Sequence, residues 1–309
     1  MTTLRPRLAR RSLCVVFVLG LTVLHSTSSA TERRAYRTKS PVRTAAGLQF
    51  TSSTQADALI QCLLGEGIPF RNATLTAATD AAGTFTGGSG IIGFESGLAL
   101  STGTIQGAAG PNQGPTQGTD HVSAGDSDLN LIVTPDETYD ATVLEFEFFT
   151  AEAKPIQFQY AFASEEYSEF VGAGFDDVMA FYLNGNTAAN NIARVPAGCG
   201  GTEGIAVSVD NVNCGNESDP NATSSNCGCY VDNEIVLPPP PDSPLNLEMD
   251  GITQVFTAQA NSIAGWNHLK IAIADAGDGI LDSNVFIKCL SFVVPVQKSS
   301  WGRIKTIYR

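Results

Sequence analysis

Three aspartates crowd into one glycine-containing turn in the C-terminal part of the sequence. The turn carries Asp275, Asp278 and Asp282, with Gly277 and Gly279 between them. The apolar, β-branched runs on both sides are typical of buried strands, and glycine permits the sharp turn that joins them. Carboxylates this close repel one another unless a cation or hydrogen-bond donors neutralise them. The spacing therefore predicts a site for a hard cation, calcium above all, or else a hairpin whose aspartates cap its own backbone.

Three further acidic clusters stand at the ends of predicted strands or in turns. Loops of a β-sandwich gather at its ends, so such clusters can converge, and converging carboxylates need a cation. The nine predicted calcium ligands are Asp275, Asp278, Asp282, Asp126, Asp128, Glu165, Glu166, Asp176 and Asp177. The alternative is a set of scattered, solvated carboxylates on an acidic surface.

Charge is distributed unevenly along the sequence. The 309 residues have a formal net charge of −13. Residues 44–296 contain five basic and 30 acidic residues, which gives this part a net charge of −25. A body this acidic repels nucleic acid and anionic membrane surfaces, and it suits cation binding or solubility in a salty exterior.

The N-terminal residues have the pattern of an export signal. A basic segment precedes the apolar run Leu13–Leu24, and Ser28 and Ala30 supply the small residues of a cleavage site. Residues 1–30 are therefore predicted to be a signal peptide, followed by a basic linker over residues 31–47. The apolar run is too short to span a bilayer comfortably, so no transmembrane span is expected in the mature chain.

Six cysteines remain after the predicted signal peptide, and an even number in an exported protein indicates disulfides. Cys227 and Cys229 are too close to bond to each other, so they are expected to pair with Cys199 and Cys214, in an order left open. That leaves the pair formed by the two remaining residues, Cys62 and Cys289. A four-thiolate zinc site in the 199–229 region is the rival interpretation.

Short alternating segments dominate the rest of the sequence. In residues 142–149 apolar side chains alternate with Glu145 and Glu147, and residues 156–162 alternate in the same way. Further strands are predicted at Val178–Leu183, Ile205–Val209, Lys270–Ala274 and Val285–Val294. One short N-terminal helix is predicted over Gln55–Leu64. This pattern predicts an all-β fold, an antiparallel, jelly-roll-like β-sandwich in a single domain over residues 48–296.

Several stretches carry a resemblance to a known family. They are Leu100–Gly103, Gly125–Leu129, Ala161–Tyr167, Phe175–Phe181, Asn191–Pro196, Asp210–Asn213, Asp250–Gly251 and His268–Ser283. In this order they resemble the choice-of-anchor L domain, a family of exported microbial surface domains. The resemblance implies a secreted or surface-displayed β-rich domain and no established reaction. Asp176 stands where the family usually has asparagine, the 199–229 region looks like an insertion, and the basic tail 297–309 shows no familiar anchor.

The function expected from these features is extracellular adhesion or binding by a calcium-stabilised domain that is secreted or on the cell surface. The partner would be a glycan or a surface or matrix protein, and Tyr167, Tyr182, Trp266 and Trp301 could stack on sugars. One alternative is a structural surface or matrix component without a specific ligand.

The other alternative is a glycoside hydrolase that uses paired carboxylates. Adjacent residues of a strand point to opposite faces, which makes Glu165 and Glu166 a poor catalytic pair. The sequence also lacks H-E-x-x-H and G-x-S-x-G motifs. The chain is therefore predicted not to be an enzyme.

Overall fold

The computed structural model describes residues 47–134, 136–216, 218–219, 221–235 and 243–290. The predicted signal peptide, nearly all of the predicted linker and the basic tail 297–309 lie outside these residues. A proline-rich segment at 238–241, which the sequence predicts to be a stiff exposed loop, also lies outside them.

Strands dominate the described part of the chain. The strands are β1 (Gln49–Ser52), β2 (Phe70–Thr76), β3 (Ala82–Thr86), β4 (Ser96–Ser101), β5 (Thr138–Thr150), β6 (Pro155–Ser164), β7 (Val178–Leu183), β8 (Val207–Ser208), β9 (Tyr230–Asp232), β10 (Gly251–Thr253), β11 (Phe256–Asn261), β12 (Gly265–Ala276) and β13 (Ser283–Lys288). The α-helices are α1 (Ala56–Leu64) and α2 (Ser127–Val133), and short 3₁₀ turns occupy Ile105–Ala108, Ala188–Asn190 and Cys227–Cys229.

The strands form two antiparallel sheets. Sheet A has the order β1-β3-β4-β13-β6-β10-β9, and β11 also pairs with β6. Sheet B has the order β2-β5-β12-β7-β8. The predicted all-β sandwich is therefore confirmed. Helix α1 lies where the sequence predicts it, whereas α2 lies at the end of a stretch that the sequence predicts to be a loop.

The main core lies between the two sheets. The alternating residues of β5 and β6 supply much of it, including Phe146, Phe148, Phe158 and Phe162, each 1% exposed or less. Helix α1 closes one side of this core through its buried leucines and Ile60. Burying each such side chain contributes roughly 1.5–3 kcal/mol.

Both sheets also bury part of their outer faces. On sheet A, Ala161 and Ala163 pack with Phe286 and Met249 in a second cluster, so β6 is covered on both faces. On sheet B, α2 covers the half of the face that includes Ala272 and other small residues of β12. The half of this face beyond α2 stays accessible to solvent.

The aspartate-rich turn that follows β12 connects the two sheets. Strand β12 belongs to sheet B and β13 to sheet A, so residues 277–282 cross from one layer of the sandwich to the other. The turn is therefore not a hairpin, and its carboxylates lie where the edges of both layers meet.

Three disulfides fasten the described chain. Cys62 bonds to Cys289, which fixes α1 to the end of β13. Cys199–Cys229 and Cys214–Cys227 close the excursion that the resemblance marks as an insertion. The predicted Cys62–Cys289 pair is confirmed, and the order that was left open for the other four is now determined. These four cysteines form disulfides instead of the rival zinc site.

Candidate functional site: a buried acidic end

Strand ends from both sheets gather at one end of the sandwich. Strand β6 ends at Ser164, which pairs with Ser283 at the start of β13 and with Gly251 at the start of β10. In sheet B, Ala274 near the end of β12 pairs with Val178 at the start of β7. Antiparallel pairing places these strand ends side by side.

Six carboxylates occupy the residues at or next to these strand ends. We call this group the acidic end; its members are Glu165, Glu166, Asp177, Asp250, Asp275 and Asp282. Each is 3% exposed or less. The two sheets thus bring together predicted ligands that are more than 100 residues apart in sequence.

Asp177 links the two layers directly. Its Oδ2 accepts a hydrogen bond from Ser283 Oγ at 2.7 Å, and its Oδ1 accepts one from the backbone N–H of Ala276 at 2.9 Å. The side chain therefore ties the start of β7 in sheet B to the start of β13 in sheet A.

The loop that precedes α2 supplies backbone donors to the acidic end. Thr119 N donates to Asp282 Oδ1 at 2.7 Å, and Gln117 N lies 3.4 Å from Glu165 Oε2. Gly103 also packs tightly here, because a Cβ at this position would lie 1.9 Å from Asp282 Oδ2. Residues 104–125 are rich in Gly, Pro and Gln, which is typical of a surface loop, yet this stretch helps to build the site.

Asp250 and Glu248 are site residues that the predicted ligand set omits. Asp250 accepts a hydrogen bond from Asn112 Nδ2 at 2.5 Å, and Glu248 accepts one from the backbone N–H of Gln113 at 3.2 Å. Both carboxyls lie close enough to Glu165 to raise its pKa by charge repulsion. The Asp250-Gly251 pair was visible in sequence only through the family resemblance.

Among the described residues, no ion pair joins a carboxylate of the acidic end to a basic side chain. In the described part of the chain, Arg71 pairs with Glu147, His268 contacts Glu145, and Lys270 binds two aspartates. None of these carboxylates is a member of the acidic end. Five buried oxygens of the acidic end also have no hydrogen-bond partner within the part of the chain that the structure describes: Glu165 Oε1, Glu166 Oε2, Asp250 Oδ2, Asp275 Oδ1 and Asp282 Oδ2. Buried carboxylates in this condition must hold protons or bind a cation.

Burial is the main cause of a raised pKa throughout the acidic end. Burial, followed by repulsion from Asp250, raises the pKa of Glu165 to about 10. Burial and the charge of Asp177 raise the pKa of Glu166 to about 9. The pKa values of Asp177 and Asp250 rise to about 8, again chiefly through burial.

The two aspartates that border the crossing turn follow the same trend. Burial, and then the charge of Asp177, raise the pKa of Asp275 well above its ordinary value. Burial raises the pKa of Asp282 to about 6, against hydrogen bonds from backbone N–H groups that lower it. As arranged here, no group of three or more His, Cys, Asp or Glu side chains among the described residues is set to hold a metal ion. A cation would therefore require side-chain rotations that bring the oxygens together.

Four predicted ligands have other contacts. Asp126 and Asp128 bind the ammonium of Lys270 at 2.7 and 2.5 Å, and Asp126 also caps α2. Asp176 accepts a hydrogen bond from the backbone N–H of Asp210 at 2.7 Å. Asp278 accepts one from Ile280 N at 3.0 Å, which is the turn-capping role that was the alternative for this aspartate.

Comparison with known proteins settles the family. The profile of the choice-of-anchor L domain matches residues 48–293. The chain belongs to the choice-of-anchor L domain family. No curated protein and no solved structure matches it.

The stretches that resemble the choice-of-anchor L family meet at the acidic end. Thr102 Oγ1 accepts a hydrogen bond from Ser283 N at 2.8 Å, which joins the Leu100–Gly103 stretch to the start of β13. Ala161–Tyr167 contributes Glu165 and Glu166, and Phe175–Phe181 contributes Asp177. The acidic end is thus built largely from the residues through which this chain resembles its family.

Family membership gives the coarse function and location. A choice-of-anchor L domain is an extracellular surface domain of an exported protein, and the family is not a known enzyme family. Of the helices that the structure describes, none is long and apolar enough to cross a membrane. Glu165 and Glu166 are both buried, which does not suit a carboxylate pair that must reach a glycoside.

Two of the aromatics predicted to stack on sugars are buried in the fold. Tyr167 is 0% and Tyr182 is 1% exposed, so neither can contact a ligand at the surface. The ring of Tyr167 packs 4.8 Å from that of Tyr230, where the disulfide-bonded excursion returns to sheet A. Trp266 is partly exposed, and Trp301 lies outside the described residues.

Proposed function

We propose that this domain acts in adhesion or binding outside the cell and that calcium stabilises it by binding at the acidic end. The observation that carries the proposal is the set of six buried carboxylates, five of which have an oxygen without a hydrogen-bond partner among the described residues. Calcium takes six to eight oxygen ligands in flexible geometry, which a group of short aspartates and longer glutamates can supply.

Calcium binding at this place would have a structural consequence. Asp177 and Asp275 belong to sheet B, whereas Glu165 and Asp282 adjoin strands of sheet A. A cation that bound carboxylates of both sets would fasten the two layers and the crossing turn between them. Such a cation supports the binding role by ordering the loops at this end of the domain.

Protons are the competing occupants of the acidic end. The raised pKa values favour neutral carboxyls near pH 7 when no cation is bound. A domain whose acidic end is neutralised by protons alone would fit the alternative of a structural surface or matrix component. The two occupants are distinguished by whether calcium changes the stability of the domain.

Calcium should raise the unfolding temperature of the mature chain after treatment with EDTA. A ligand that binds the folded state alone, at 100 times its Kd, adds about 2.7 kcal/mol to the free energy of unfolding. Asp275→Asn should remove most of this gain, while Glu152→Gln, at an exposed carboxylate, should keep it. The measurement is thermal unfolding at neutral pH in EDTA, in calcium and in magnesium. An identical unfolding temperature in all three solutions would rule out the cation.

A further inference from the structure

The outer face of sheet B is covered along only half its length. Leu129 and Val133 of α2 pack on the alanines of β12 and on Tyr182 near the acidic end. Lys270, bound to the two aspartates at the start of α2, marks the edge of this cover. Beyond Lys270 the face consists of partly exposed side chains that point away from the core.

We call this uncovered part the open face. Its residues are Arg71, Glu145, Glu147, Phe149, Trp266 and His268. Strand pairing places Trp266 opposite Phe149 and places Glu147 between Arg71 and His268. Strands β2, β5 and β12 therefore present one continuous row of side chains.

An aromatic pair and an arginine form one end of the open face. The rings of Phe149 and Trp266 lie edge to face with centroids 5.4 Å apart. The guanidinium of Arg71 lies 4.0 Å from the centroid of the Trp266 ring. Phe149 remains 38% exposed, although burial of such a ring is favourable.

Both carboxylates of the open face contact a neighbouring side chain. Arg71 Nε lies 2.6 Å from Glu147 Oε2, and His268 Nε2 lies 2.9 Å from Glu145 Oε1. The surrounding body carries a large negative charge and repels anions. Because Arg71 and both carboxylates already contact one another or His268, and because the acidic body repels anions, the face favours a neutral ligand over an anionic one.

We propose that the open face binds a neutral glycan. The C–H groups of a pyranose ring pack on the exposed ring of Phe149 and on the partly exposed ring of Trp266. The sugar hydroxyls accept hydrogen bonds from the η nitrogens of Arg71 and donate them to the carboxylates of Glu145 and Glu147. The proposal rests on the extracellular binding role proposed above, but not on the calcium site.

A glycan suits this surface better than a protein partner does. A stable protein interface buries about 800 Å² on each side and has an apolar centre depleted of charged residues. Four of the six residues of the open face are charged or titratable, and they are paired across the strands. A partner with many hydroxyls can exploit these pairs without removing them from water.

Tryptophan fluorescence provides a direct test, because the chain has two tryptophans, Trp266 and Trp301. In the full mature chain carrying Trp301→Phe, Trp266 is the sole reporter. It would be titrated with neutral hexasaccharides of β-1,4-glucose, β-1,3-glucose, mannose and N-acetylglucosamine, and with heparin as the anionic comparator. We expect a saturable change with at least one neutral sugar and none with heparin.

Variants of the open face then locate the site, with binding of that sugar measured by calorimetry. Trp266→Ala should weaken binding at least tenfold, and Arg71→Gln several-fold. Arg71→Gln removes a half-exposed group and keeps the proposal testable if Trp266→Ala fails to fold. Tyr139→Ala, at an exposed aromatic near the acidic end, should bind normally. The proposal is overturned if no neutral sugar changes the fluorescence, or if both open-face variants bind as tightly as the parent.

Repeating the titration in EDTA and in calcium separates the two proposals. Sugar binding without any stabilisation by calcium would retain the open face and reject the cation site. Stabilisation by calcium without sugar binding would support the cation site and reject the glycan site on the open face. A protein would then be the remaining partner for the binding role.

Discussion

In EDTA, the free energy of unfolding should fall as the pH rises from about 5 to about 9. Carboxyls of the acidic end have raised pKa values when folded, for example about 8 for Asp177 and about 9 for Glu166. In the unfolded chain they titrate near 4. Between these limits the folded state holds more protons than the unfolded state, so stability is greatest below pH 4 for these groups and is lost as the pH rises.

The expected loss is several kcal/mol. Each tenfold change in proton affinity corresponds to about 1.4 kcal/mol, so Asp177 alone accounts for roughly 5 kcal/mol as an upper estimate. Asp177→Asn cannot ionise and should flatten the pH dependence, whereas the exposed control Glu152→Gln should not. Urea unfolding at several pH values measures both slopes. Stability that rises with pH in EDTA would show that the carboxylates are ionised and held by other means.

Calcium should change the sign of this pH dependence. A cation binds the ionised carboxylates, so its affinity grows as the protons leave. The same urea titrations in saturating calcium should therefore show stability that rises, or stays level, between about pH 5 and pH 8. A parallel fall with and without calcium would leave protons as the sole occupants of the acidic end.

Gly125→Ala should lower the free energy of unfolding by about 3 kcal/mol, a large effect for one methyl group. A Cβ at this position would lie 1.8 Å from the carbonyl oxygen of Thr138. Because this oxygen belongs to the backbone and cannot rotate away, residues 124–126 must move away from the start of β5. Asp126 would move with them, which disturbs the cap of α2 and the ion pair with Lys270.

Gly114→Ala is the matched control for this substitution. No atom lies within 4 Å of the position of its Cβ, so the change should stay within about 0.5 kcal/mol of the parent. Both variants would be measured by urea unfolding with the disulfides intact. A Gly125→Ala protein as stable as the Gly114→Ala protein would contradict the close packing against β5.

The layered fold was predictable because buried and less buried side chains alternate along β5 and β6, as they do in a strand with one face on the core. The apolar positions of residues 142–149 face the core, and Glu145 and Glu147 face outward, as the alternation predicts. The assignment of β12 and β13 to different sheets was not predictable. Next to the turn both strands are buried on two faces, so their sequences there contain no alternation that tells a hairpin from a crossing turn.

The sequence predicts that the candidate site consists of carboxylates, but it does not predict which carboxylates come together. Asp177, Asp275 and Asp282 converge because strand ends of both sheets meet, which is a property of sandwiches. Asp250 was not predicted as a member of the acidic end because it reaches this end through the pairing of β10 with β6, a contact between distant residues. Glu248, two residues before Asp250, gives the same spacing as Asp126 and Asp128, so local spacing does not separate carboxylates of the acidic end from others.

Asp126 and Asp128 have a partner that the sequence does not indicate. The sequence treats them as candidate cation ligands, and the structure gives them a cation from the chain itself, Lys270, 142 residues or more away. The helix cap formed by Asp126 is a local signal, because aspartate followed by an apolar stretch is typical of a helix start. The partner lysine carries no such local signal.

The Cys62–Cys289 disulfide also determines how tension passes through the domain. If the chain is pulled at residues 47 and 290, the load travels through residues 47–62, crosses the disulfide and leaves within two residues. The disulfide closes the chain between the two cysteines, which are 227 residues apart, into a loop that carries no load. At about 3.3–3.6 Å per residue, roughly 75–80 nm of chain stays shielded until the bond is reduced. An oxidised domain displayed at a surface would thus keep sheet B, the rest of sheet A and the open face intact under forces that unravel β1 and the part of α1 before Cys62.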